Sequence, residues 1–275
     1  SWSGTDYDWI AAGGGGSPDL YAENYDGTST LPSATGSNAV AIGINALASG
    51  FRAMAIGENS VASGTRATAI GLSADSTAQQ GLALGSNAQA VTGTNATALT
   101  NSRASGTDSF AAAIANNTST YGATGANSVA LGYQAKATGA QSFAAGGWRA
   151  EATTTQATAI GSFARASGAG SMALSTEVSG YYTTASGSQS VAIGNRVVAS
   201  GTQSVAIGTL STASHSYSIA LGKDITSTLL GFWCLHPSNS RRYSQSGANN
   251  RWVGCGYVCH GGWWRRWCYK LHHRH

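Results

Sequence analysis

Charge is scarce in this chain: 9% of its 275 residues are Asp, Glu, Lys or Arg, against about a quarter in ordinary globular chains. A solvated disordered chain needs high charge and few apolar residues, so the 42% apolar content excludes that class. Proline numbers 3 while glycine numbers 37. That excludes collagen, which needs Gly at every third position and abundant Pro. The long uncharged stretches are filled with Ser, Thr, Asn and Gly, so none reads as a membrane span. No signal peptide is visible. Catalytic motifs are missing too. Residues 36–224 hold one His and six acids without pairing, and no Gly-x-Ser-x-Gly elbow, P-loop or His-Glu-x-x-His occurs. Neither enzyme activity nor a cofactor is expected.

What is present is a repeat. An apolar residue ends an x-Ala-x triplet at Ile42, Ile56, Ile70, Leu84, Leu99, Ala112, Leu131, Ala145, Ile160, Leu174, Ile193, Ile207 and Leu221. The spacings are 14, 14, 14, 15, 13, 19, 14, 15, 14, 19, 14 and 14. The residue before every anchor is Ala, as at Ala41, Ala55, Ala69, Ala83, Ala130, Ala192, Ala206 and Ala220. The residue before that is mostly larger and apolar, such as Val40, Leu82 or Val129, and Gly follows the anchor in ten units. A second small-residue strand lies downstream, as in Ala46 and Ala48 or Ala164 and Ala166, and a further Gly closes the unit.

Alternation of period two between Gly turns predicts short strands. Fourteen residues fit two strands and two tight turns, one coil of a flattened parallel β-solenoid. Thirteen coils stacked at about 4.8 Å make a rod about 60 Å long. The first strand carries Val/Ile on one face and Ala on the other, and a thin roll covers only its inside. The expectation is an oligomer along the axis, with the uniform Ala column marking close approach in the core or between chains.

Asn38-Ala-Val-Ala-Ile-Gly43, Asn127-Ser-Val-Ala-Leu-Gly132, Gln189-Ser-Val-Ala-Ile-Gly194 and Gln203-Ser-Val-Ala-Ile-Gly208 resemble the head repeats of trimeric autotransporter adhesins. Each is followed by an Ala-x-Ala-Ser/Thr-Gly-like segment. The resemblance covers roughly 36–224. It implies an all-β, left-handed parallel β-roll, a homotrimer, and an extracellular adhesive fibre that contacts a host-surface protein or glycan. Similar repeats resemble phage and virion fibre segments. No heptad stalk and no anchor-barrel pattern follow, which favours a virion appendage or secreted fibre. The alternatives are a filament without a receptor and a glycan-degrading tail spike. A spike needs two carboxylates about 5–9 Å apart, and Glu58 with Asp75 is the pair to test.

Specificity on a regular rod must come from its irregularities. The two 19-residue spacings place insertions within 115–122 and 175–184, where solenoids send out loops. Tyr121, Tyr181, Tyr182, Thr183 and Thr184 are candidate binding residues there. Trp148 and Arg149 replace a small polar pair in a coil one residue long, and are hot-spot residue types. The alternative is that these aromatics fold back as covers. His215 replaces a unit-closing Gly and reads as a turn residue needing φ > 0. Asn95, Asn116 and Asn117 fit the N-glycosylation sequon, which matters only in a eukaryotic secretory pathway.

The flanks differ from the body. Residues 1–35 hold five acids and no base, with Trp2, Tyr7 and Trp9 as candidates for capping the first coil or docking to a carrier. Residues 225–275 hold seven bases, no acid, all four cysteines and five of the eight tryptophans. The basic pI of about 8.9 thus belongs to the tail, and no nucleic acid partner is expected of the body. Cys255, Cys259, His260 and Cys268 are metal-ligand types without zinc-finger spacing, so no metal site is assigned. Disulfides are a second reading. A change of reading frame near Phe232 is a third, since Trp codons read one base later give Gly.

Overall fold

The computed structural model describes residues 30–114, 120–176 and 180–228, with the backbone of 233–235 and 258–260. The described chain is all-β. Strands alternate between a 14-stranded sheet, running from Ser33–Ala34 to Thr226–Ser227, and a 15-stranded sheet, running from Val40–Ile42 to Val258–His260. Each coil contributes one strand to each sheet, and neighbours pair in parallel at the coil spacing, as in Ala41↔Ala55 and Ala48↔Ala62. No helix among the described residues is long and apolar enough to cross a membrane. The parallel β-solenoid of about thirteen coils expected from the spacing is the observed architecture.

Alternation on a strand decides what faces in. In each x-Ala-x strand the central Ala points inside, and the second sheet's Ala column meets it across the core. Ala55, Ala69, Ala83, Ala130, Ala192, Ala206 and Ala220 are fully buried, and Ala41 in the first coil is 6% exposed. The alanine column is therefore closed within one chain, and methyl groups fit because the two sheets of the same roll lie close. The flanking columns face outward. Met54, Leu84, Ile160, Met172 and Ile207 are all exposed. The outward surface of this sheet is a pair of mostly apolar columns.

Two turn columns hold the coil together. Asn45, Asn59, Asn87, Asn101 and Arg196 occupy one left-handed position (φ 51–56), and Asn38, Gln141, Gln189 and Gln203 occupy the other (φ 54–59). Asn tolerates this region better than most residues. Stacked amides then bond from coil to coil, as in Asn45 Nδ2 to Asn59 Oδ1 (2.8 Å) and Gln203 Nε2 to Gln189 Oε1 (2.8 Å).

His215 departs from the expectation. It lies in a turn, where its carbonyl accepts from the Ser218 hydroxyl (2.6 Å). The left-handed residue of that turn is Tyr217 (φ 60), not His215. The Gly column that His215 replaces is selected by space: a Cβ on Gly201 would run into the His215 carbonyl, and one on Gly187 into that of Gly201.

The first strand lies at Ser33–Ala34, and the second sheet continues past residue 224. Trp233–Leu235 adds in parallel with Cys234 opposite Ala220, and Val258–His260 adds antiparallel. Segments 1–29, 115–119, 177–179, 229–232, 236–257 and 261–275 lie outside the described residues, and with them Trp2, Tyr7, Trp9, Asn116, Asn117, Cys255 and Cys268. Cys259 and His260 are described in backbone only.

Candidate functional site, an aromatic and arginine edge

Both insertions fall at the same turn, the one that follows each x-Ala-x strand: between Ile114 and Thr120, and between Thr176 and Gly180. Ile114 is fully buried in the core just before the first insertion. Between these two points the same turn carries large side chains in successive coils. Tyr133 meets Trp148 edge to face (centroids 5.7 Å), Trp148 stacks on Phe163 (6.0 Å), and Phe163 meets Tyr182 edge to face (5.7 Å). Backbone bonds from Arg149 N to Tyr133 O (3.1 Å) and from Phe163 N to Trp148 O (2.7 Å) hold the row in step.

Charges flank the row. Glu151 is 9% exposed. Its carboxylate accepts from Arg165 Nε (2.9 Å) and the Tyr182 hydroxyl (3.0 Å), with Arg149 at 4.0 Å. Arg165 lies over the Tyr182 ring at 3.8 Å, and Arg196 over the Tyr181 ring at 3.8 Å. Burial, then the hydrogen bond to Glu151 and that residue's charge, push the Tyr182 phenol above its ordinary value, against the opposing arginines. The phenol thus stays a donor to the carboxylate.

The sequence candidates divide. Trp148 is 52% exposed and Tyr181 55%, and both belong to this edge with Arg149 and Tyr182. Tyr121 is half-buried against the core. Thr183 is corrected: it is fully buried, and its hydroxyl donates inward to the Gly194 carbonyl (2.8 Å), so it offers nothing to a ligand. Thr184 stands on the outer face in register with Arg165. Sequence reasoning missed Tyr133, Phe163, Glu151, Arg165 and Arg196. The available signal was an aromatic recurring at 133, 148, 163 and 182, in step with the coils and their insertion.

The two carboxylates of the pair stand on different segments of neighbouring coils. Glu58 lies on an exposed turn beside Asn59, while Asp75 lies in a strand in register with Val61. Burial raises the Asp75 carboxyl above its ordinary value, with Arg103 opposing. Among the described residues no three His, Cys, Asp or Glu side chains gather as a metal site.

Comparison with known families accounts for the scaffold. The YadA head domain repeat (2 copies) matches residues 34–50, 48–74, 123–147, 149–174, 179–196 and 199–224. By its repeat region the chain belongs to the YadA head repeat family. No curated protein matches the chain. Head repeats of this kind are adhesin-type, extracellular cell-surface fibre material. The matched segments skip 75–122 and end at 224, while the sheets run unbroken through both places. YadA-type periodicity thus persists in structure where Asp75, Gln89 and Arg103 dilute the sequence pattern.

Proposed function

We propose that this YadA-type head segment works as a homotrimeric adhesive fibre on a cell surface or virion. It engages a host or other surface through the edge between Tyr133 and Arg196. The single observation that carries the trimer is the outward face of the 15-stranded sheet. Two apolar columns run its length, with Met54, Leu84, Ile160, Met172 and Ile207 exposed in the single chain. A monomeric protein rarely leaves so long an apolar surface open, and the family resemblance implies three chains around one axis. Attachment is assigned to the edge because it breaks the regularity and collects exposed Trp, Tyr and Arg. Trimerisation presents it three times, so weak contacts add as avidity.

Two measurements test this reading. The mass in solution should be three chains, and a stable monomer overturns the assembly. Trimers with both insertions shortened to restore the 14-residue spacing, and with Trp148→Ser and Tyr181→Ser, should adhere less than the parent. Equal adhesion moves the attachment site to an end of the rod, or leaves a filament without a receptor.

A further inference from the structure

From Leu131 to Arg196 the sequence carries Lys136, Arg149, Arg165 and Arg196 against Glu151 and Glu177. Among the described residues, Glu151 is occupied by Arg165, Arg149 and the Tyr182 hydroxyl. Arg196 makes no ion pair there and lies over the Tyr181 ring at 3.8 Å. Stacking fixes the plane of a guanidinium and leaves its edge of N–H donors outward, the fork that matches a planar or tetrahedral oxyanion. Arg149 is held less fully: its side chain is 41% exposed and stands 4.0 Å from the Glu151 carboxylate.

Resting on the assignment of attachment to this edge, we propose that its ligand is an extended sulfated polysaccharide. The arginine forks bind its sulfate groups along the roll axis. Three features select this ligand. Arg149 and Arg196 hold the same turn position three coils apart, so a polymer with repeating charge meets both in line. One face of each ring is already engaged, by guanidinium at Tyr181 and Tyr182 and by mutual stacking of Trp148 and Phe163; base stacking of nucleic acid is thereby restricted to the opposite faces. Backbone groups along the row are spent on neighbouring coils, as between Arg149 and Tyr133, Phe163 and Trp148, and Thr183 and Phe163, so no peptide strand can add there.

The test uses the full chain as a trimer over immobilised heparin, with unsulfated heparosan and polyglutamate as parallel surfaces. The parent should bind heparin at least about tenfold more tightly than either control, and added salt should weaken binding. Arg149→Asn and Arg196→Asn each remove a fork while keeping the left-handed turn, since Asn holds that position in other coils. Each should weaken heparin binding severalfold and the pair by about tenfold or more, with the melting temperature kept near the parent's. Arg66→Asn, at a left-handed position on the opposite turn (φ 58), should change nothing. Equal binding to heparosan or polyglutamate, or a double variant that binds heparin like the parent, overturns the proposal. Failure of the attachment reading looks different: the double variant then loses heparin but adheres to a cell layer as the parent does. If the parent ignores heparin while the double variant loses the cell layer, the ligand class falls and the attachment edge stands.

Discussion

The two sheets of this roll share an alanine interior and differ on the outside. The 15-stranded sheet shows two outward residues per coil, apolar almost throughout, from Val40 and Ile42 to Ile219 and Leu221. The 14-stranded sheet shows one, and it varies: Leu47, Val61, Asp75, Gln89, Arg103, Lys136, Glu151, Arg165, Thr184, Val198 and Thr212. The inside of a solenoid is constrained in every coil, because each must match the one beneath. The outside is constrained only where something covers it. Uniformity on one outer face and variety on the other are what the proposed trimer requires of a packing surface and a solvated one.

That contrast can be broken directly. Leu131→Asp places three charges in the proposed trimer core and should abolish assembly, leaving aggregated or unfolded chain by light scattering. Thr212→Asp, on the other sheet, should leave the trimer intact and stability within about 0.5 kcal/mol. Equal effects would erase the distinction between the faces. Next in size, Ala130→Leu or Ala192→Leu overpacks the core shared by both sheets and should cost about 1–3 kcal/mol per chain in denaturant unfolding.

Smaller effects sharpen the picture on the varied sheet. Glu151→Gln removes the charge that Arg165 and Arg149 face. It should cost about 1–3 kcal/mol and loosen Tyr182, read as increased quenching of tyrosine fluorescence. The smallest effect concerns Asp75, whose Oδ1 is buried without a hydrogen-bond partner and whose carboxyl is raised by burial. A folded-state value above the ordinary 3.8 means that the folded chain holds its proton more tightly than the unfolded one. Stability from this group is thus full below that value and lost as pH rises through the folded one. Asp75→Asn should raise the melting temperature modestly at neutral pH and flatten the acid-side dependence. A variant that melts lower at neutral pH refutes this.

The scaffold was legible because its determinants are local and repeated. Ala at the centre of every x-Ala-x triplet, Gly after most anchors and a spacing near fourteen leave few alternatives to a coil of two strands. Which surface the alanines closed was less legible. A column of small residues reports close approach, but the spacing does not say whether the neighbour is the same chain or another. At the edge, sequence picked out Trp148 and Arg149 because they interrupt a pattern, and Tyr181 and Tyr182 because they lie in an insertion. Tyr133 and Phe163 went unread because a 15-residue coil shifts them off a fixed count. Glu151 and Arg165 looked like isolated charges until strand register set them side by side. Thr183 was misread because its position within the insertion was taken as exposure. Trp233–Leu235 escaped because Cys234 stands where the repeat has Ala.

Pairing between equivalent residues of successive coils has a genetic consequence. Each coil touches chiefly the one before and the one after, in the same register, so the rod is counted out in copies. Gain or loss of fourteen codons adds or removes one coil, changes reach by about 4.8 Å, and returns every other side chain to its former company. Gain of a single codon within a strand turns the alanines outward, whereas the extra residue at Gly146-Gly147 is absorbed in a turn with the Ala144↔Ala159 register intact. Length in such a gene is an inexpensive variable, and phase within the strands is a strict one.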